Sequence, residues 1–207
     1  YDIRFTAVDG ETELPYERTA FAVAGGEATG KFWVKSSLAT SPATEIYIYY
    51  GVSGAEDGNN PTAVWGSDYK GVYHLGEAYG TGADNYKDSS AAAHHATLTD
   101  ADADSGQDDG PAGKCVDLNG DADYLTVADH ADHDPGGAMT AEAWFYKDDM
   151  ASGIGIVNHG TGQETWYLET HDAHGSDIHL RGRLATASGN ADLYGSSELV
   201  TGTFYYG

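Results

Sequence analysis

Short runs of alternating apolar and polar residues, closed by Gly, Pro, Ser or Asp, recur along the chain, and no stretch carries a convincing helical period. In TEIYIYYG, residues 44–51, Ile46 and Ile48 alternate with Tyr47 and Tyr49. Successive side chains of a strand point to opposite faces, so this reads as a half-buried strand with a tyrosine face. In MTAEAWFY, Met139, Ala141, Ala143 and Phe145 share one face and Thr140, Glu142, Trp144 and Tyr146 the other. Further strands are expected at Ile3–Val8, Phe21–Val23, Lys31–Lys35, Gly71–Leu75, Tyr124–Ala128, Gly155–Asn158, Thr165–Thr170, Ile178–Leu184 and Leu199–Tyr206. Ala91–Ala96 is too short, and too close to Asp-rich turns, to count as a helix. The 28 glycines and the even strand spacing favour antiparallel sandwiches over βαβ units. The expectation is an all-β chain of two β-sandwich units, residues 1–62 and 63–207, divided at the Gly/Asn/Asp/Pro loop Gly51–Thr62.

Charge narrows the function. Against 33 acidic residues stand 10 basic ones, a formal charge of −23. Such an excess repels phosphate backbones and anionic lipid, so neither nucleic acid nor membrane insertion is expected. Fifteen Tyr, 5 Phe and 4 Trp supply too much apolar surface for a disordered acidic tail. Cys115 is the single cysteine, which leaves no disulfide framework and no thiolate metal site. No apolar run reaches membrane-spanning length. The chain opens on Tyr1, which points to a processed or partial chain, and Asn60-Pro61-Thr62 is blocked as a glycosylation acceptor by its proline.

Two stretches go beyond composition. YDIRFTAVDGETELPYE followed by KFWVKSSLATSPATEIYIYYG resembles a small secreted β module catalogued as a domain of unknown function, a module commonly found just before laminin-G-like domains. AVWGSDYKGVYHLGEA, YKDSSAAAHHATL, GKCVDLNGDADYLTVAD and MTAEAWFYKDD then resemble, in order, the opening strands of a laminin-G-like, concanavalin A-like jelly roll. This tandem arrangement is seen in microbial and phage surface proteins. Where the jelly-roll family usually has Ser-Gly-Asn-Gly, this chain has Ser90, Ala91, Ala92 and Ala93. The sequence ends on ELVTGTFYYG, which resembles a mid-domain strand, so both units read as partial. Open sheet edges would then be available for strand addition, with self-assembly into a filament or particle coat as the expected consequence.

Candidate sites follow from the acids, histidines and aromatics. DADADSGQDDG opens like an EF-hand loop with Asp100, Asp102 and Asp104, but Gly106 comes one place late and Pro111 stands where the bidentate Glu belongs. The turn in CVDLNGDADYLTVAD is a better oxygen site, with Asp117, Asn119, Asp121 and Asp123 bracketing Gly120. Related jelly rolls often hold calcium at a rim of the sandwich, and the resemblance implies Ca2+ here, with Glu77 and Asp88 adding oxygens. Turn-forming Asp on a solvated acidic surface is the competing explanation. His130 and His133, and His171, His174 and His179, sit in turn-rich runs and read as surface histidines rather than a zinc or nickel site. Trp166, Tyr167, Gln163 and Glu164 form the mixture of flat rings and hydrogen-bonding groups that grips a sugar, with Trp65 and Tyr69 as further exposed-aromatic candidates.

Catalysis is not expected. Ser53 in GVSGA lacks the glycine spacing of a nucleophile elbow, and Glu142 beside Trp144 only imitates a glycosidase strand. The expected function is a secreted, non-enzymatic binding or adhesion module at a cell or virion surface, calcium-stabilised and recognising a glycan or a surface protein. The alternative is a structural subunit of a surface filament or virus particle. A third reading is an accessory domain of a carbohydrate-active enzyme.

Overall fold

The computed structural model describes residues 2–40, 43–99, 105–119, 122–134, 137–149, 153–160, 165–172, 177–186 and 189–207. The chain is nearly all β, as its alternation predicts, and its ladders are antiparallel. Backbone contacts divide it into two compact units, residues 1–132 and 133–207.

The first unit carries β1 (Arg4–Ala7), β2 (Glu13–Leu14), β3 (Tyr16–Ala24), β4 (Glu27–Val34), β5 (Ile46–Tyr49), β6 (Ala96–Thr99), β7 (Gly106–Gly110), β8 (Gly113–Asp117) and β9 (Tyr124–Val127). β1 lies between β2 and β5, while β3–β4, β6–β9 and β7–β8 form pairs. The hairpin β3–β4 runs longer than the alternation suggests, because a two-residue turn closes it. Gly25 and Gly26 take φ of 61° and 86°, the pair of positive angles that a twist-matched tight hairpin requires.

Two clusters hold this unit. Ile3, Phe5 and Tyr16 are buried, with Leu14, Phe21, Phe32 and Val34 packed against them. The rings meet edge to face, Phe5–Tyr16 at 5.2 Å, Phe5–Phe32 at 5.4 Å and Tyr16–Phe32 at 5.9 Å between centroids. Each such pair is worth about 0.5–1.5 kcal/mol beyond its buried area. The Tyr16 hydroxyl donates to the Ile3 carbonyl at 2.9 Å, so its burial leaves no orphaned polar atom. The second cluster is Tyr86, Ala96 and Leu98, with Tyr73, Leu75, Val116, Leu125 and Val127 around it.

Three expectations shift in this unit. The Ile-Tyr strand forms as β5, yet all four of its residues are exposed, because it lies at a sheet edge rather than under a second layer. Gly71–Leu75 makes only a single bridge, Tyr73 to Asp88, because the Asp88 carboxylate takes the Val72 N–H at 2.8 Å in place of a neighbouring strand. One helical turn, α1 (Pro61–Val64), follows Asn60, whose side chain accepts the Ala63 N–H at 3.3 Å. Pro61 suits the first helical position, where no N–H is needed.

The second unit carries β10 (Trp144–Tyr146), β11 (Ile154–His159), β12 (Thr165–Asp172), β13 (Ile178–Thr186), β14 (Gly189–Glu198) and β15 (Phe204–Tyr206). β10 pairs with β15, and β11-β12-β13-β14 form a four-stranded meander. The strand expected from Met139 narrows to β10, preceded by Ala143, which exchanges both backbone hydrogen bonds with Gly207 at 2.7 and 3.2 Å. Leu168, Thr170 and Leu199 are buried, whereas every residue of β14 is exposed.

Candidate functional site

β12 and β13 lie side by side in the second unit and build its most elaborate polar surface. Alternation puts Thr165, Tyr167 and Glu169 on one face of β12 and Trp166, Leu168 and Thr170 on the other. The register sets Tyr167 opposite Arg183 and Glu169 opposite Arg181, and on β14 Arg183 faces Asp192 while Arg181 faces Tyr194. Side chains directly opposite on one face interact, so the ladder itself assembles a grid of two rings, two guanidiniums and two carboxylates.

The contacts within the grid are specific. Arg181 Nη2 donates to the Tyr167 hydroxyl at 3.2 Å and to Glu169 Oε1, and Arg183 Nη1 donates to the same hydroxyl at 3.1 Å. The guanidinium carbons stand 5.5 and 5.9 Å from the Tyr167 ring centroid. Arg183 Nε pairs with Asp192 at 3.2 Å. Each guanidinium therefore has its own carboxylate, and the grid is close to neutral in a strongly acidic chain. Beside it opens a pocket of about 320 Å³, whose lining includes Asn158, His159, Thr165, Tyr167 and Glu169, with Gly153, Gly155 and Gly160 at its wall.

Of the four residues expected to grip a sugar, Tyr167 lines this pocket. Trp166 points away from that face. It donates its indole N–H to the His133 carbonyl at 3.0 Å and stacks on His159 with centroids 5.8 Å apart. Gln163 and Glu164 lie outside the described residues, as do Asp121, His174 and the acids Asp100, Asp102 and Asp104. His171 lies edge to face with Tyr194, and His179 is buried in β13.

The acids expected to hold calcium have separate local roles in the first unit. Asp88 is 5 % exposed and accepts from the N–H groups of Val72, Ser90 and His94 and from the Ser90 hydroxyl, at 2.8–2.9 Å. This carboxylate folds the loop after it. Glu77 Oε1 accepts the Lys87 N–H at 2.8 Å, and Glu77 Oε2 is buried with no hydrogen-bond partner among the described residues. Asp123 accepts from the Ser105 hydroxyl at 2.7 Å, while Asp117 and Asn119 are exposed at the end of β8. Among the described residues, the one trio of acid, His or Cys side chains close enough to share an ion is His94, His130 and Asp132.

A third constellation surrounds Glu17, a buried acid that sequence patterning does not single out. Its carboxylate accepts from Trp65 Nε1 at 2.6 Å and from the Ser89 hydroxyl at 2.5 Å, and it pairs with His74 Nε2 at 2.9 Å. Burial pushes this carboxyl up, but the hydrogen bonds from His74, Ser89 and Trp65 outweigh it and hold the group below its ordinary value. Trp33 stacks on His74 at 5.4 Å, and Tyr69 meets Trp65 edge-on at 5.2 Å. Trp65 is thus a structural partner of Glu17, while Tyr69 keeps an exposed ring. The one sequence signal for Glu17 is an acid on an aromatic-rich strand; its partners lie 48 to 72 residues away.

Residues 1–88 match the model of a family described as a domain of unknown function, DUF2341. The match runs through β1–β5 and α1 and ends on Asp88, the hub of the loop that carries His94. No curated protein and no solved structure matches the chain.

Proposed function

We propose that this chain is a non-enzymatic binding module whose second unit, in the manner of a laminin-G-like jelly roll, holds a neutral glycan on the β12–β13 face. The observation that carries this reading is the Tyr167 grid beside its pocket. A ring offers an apolar surface to a sugar face, while guanidinium, carboxylate and amide groups supply donors and acceptors for hydroxyls. All of them stand on paired strands, so little order is lost on binding. Because Arg181 and Arg183 already have carboxylate partners, the face favours an uncharged sugar over a uronate or sulfate. The test is a glycan array on the full chain. Neutral oligosaccharide binding is expected, with Tyr167→Ala weakening it at least about tenfold while melting is retained. Selective capture of sulfated glycans, or equal binding by Tyr167→Ala, overturns the reading. Calcium belongs to the same proposal through Asp117, Asn119, Asp121 and Asp123, and a hundredfold excess over its dissociation constant would add about 2.7 kcal/mol of stability.

The exposed edge strand favours a second reading. Ile46, Tyr47, Ile48 and Tyr49 are each 42–49 % exposed on the outermost strand of their sheet, and Tyr50 and Val52 extend the apolar run. Such an edge is a template for strand addition. In that reading the chain is a structural subunit that assembles through β5. Sedimentation separates the two: concentration-dependent oligomers abolished by Ile48→Lys support assembly, and a monomer at all concentrations rules it out.

A further inference from the structure

We infer that His94, His130 and Asp132 form a binding site for a divalent transition metal, with zinc as its representative ion. Ligand atoms from the three side chains all lie within 4.8 Å of one another. His94 Nε2 is 3.0 Å from Asp132 Oδ2, and His130 Nδ1 is 3.3 Å from the same oxygen. Four ligands at tetrahedral zinc, bonded at about 2.0–2.1 Å, are separated from one another by about 3.3–3.4 Å. The two spacings to Asp132 Oδ2 are within a few tenths of an ångström of that arrangement, and the His94 and His130 ligand atoms lie within 4.8 Å of each other.

The Asp132 backbone N–H donates to His130 Nδ1 at 3.1 Å, so an ion bound there competes with that donor for the nitrogen's single in-plane lone pair. Two imidazoles and a carboxylate are a borderline-soft nitrogen and oxygen set that suits zinc better than calcium, which takes six to eight oxygens.

The supports of the trio are equally specific. Asp88 accepts the His94 N–H at 2.9 Å, and the Tyr73 hydroxyl donates to the His94 carbonyl at 2.5 Å, so both sides of the His94 backbone are held. Lys70 stands 3.9 Å from Asp132 Oδ1, the oxygen turned away from the imidazoles, and donates to the Ser67 carbonyl. Its positive charge lowers affinity somewhat, but it leaves Oδ2 to the ion. Three protein ligands at a partly exposed surface leave the fourth position to water or to an incoming ligand.

The test is calorimetric titration of zinc chloride into the full chain at neutral pH, with cobalt absorption as a geometric readout. One ion per chain with a tetrahedral cobalt band is expected. Loss of a partner that merely orients a ligand costs about 10–100-fold in affinity, so His94→Ala and Asp132→Asn are expected to lose at least about 100-fold. His171→Ala, at a histidine outside the trio, is expected to bind as the parent does. Unchanged affinity in His94→Ala, or an equal loss in His171→Ala, overturns the site. If His94→Ala fails to fold, zinc protection of the parent's histidines from acylation decides. Protection confined to His94 and His130 supports the site, and uniform modification refutes it.

Discussion

The two units solve the same all-β problem with different balances of force. The first has short sheets of two or three strands, but its buried rings Phe5, Tyr16 and Tyr86 tie non-adjacent pairs into two cores. The second has the longest continuous ladder among the described residues, β11 to β14, and its described strands bury little apolar side chain beyond Leu168. There, side-chain order comes from the ion-paired grid of Glu169, Arg181, Arg183 and Asp192. Packing and charge are not equivalent supports. A buried apolar ring carries no charge to titrate or screen, whereas a grid of ion pairs responds to both pH and salt. The proposed sugar face accordingly sits where the unit invests in polar order.

The largest expected effect falls on the aromatic core. Phe5→Ala removes a ring that meets both Tyr16 and Phe32, and buried Phe to Ala costs about 3–5 kcal/mol. Leu193→Ala on exposed β14 is expected to stay within about 0.5 kcal/mol. Urea unfolding measures both, and comparable losses would break the contrast between a packed and an open unit.

An intermediate effect belongs to Glu17, where the first unit depends on a buried charge. Its folded-state pKa lies below the unfolded value, so its stabilisation is complete above an unfolded pKa of about 4.3 and drains as pH falls through the folded value. Glu17→Gln should therefore cost about 2 kcal/mol at neutral pH and progressively less in acid. A gap between parent and variant that stays constant from pH 7 to pH 3 would show that the charge is not what matters.

The smallest effect is a gain. Ala93 adopts φ of 54° in the loop folded by Asp88, a left-handed conformation that disfavours a side chain. Ala93→Gly supplies the residue that this conformation favours. It should raise stability by up to about 1 kcal/mol, because relief of strain outweighs the added freedom of the unfolded chain. A loss on thermal melting would mean that the loop needs the alanine.

Much of the strand layout is legible in the order of residues. Alternation locates β1, β5, β9, β11, β12 and β13 to within a few residues, because side-chain period is a local property, while β6, β7 and β8 are not expected from it. β14 carries no such signal: Gly189, Asn190, Asp192 and Ser196 have turn composition, and only the long neighbour β13 holds that backbone extended. Tyr167 draws attention in sequence as a candidate ring, but Arg181 and Arg183 do not, since their partnership depends on register across strands. His130 reads as a surface histidine. His94 draws no attention, because His130 lies 36 positions further on and no local pattern reports that closure.

The sequence by itself determined the class of fold and the excess of negative charge, since both follow from the order and count of side chains alone. It also singled out Trp166 and Tyr167, two rings on the strand that became β12. Which carboxylates support the fold and which remain for a ligand was decided by tertiary structure. Asp88 and Glu17 look in sequence like any other acid, and only the N–H and O–H groups delivered from distant segments turn them into buried hubs. The physical reason is that a carboxylate's role depends on which donors reach it in space, and strand pairing sets that.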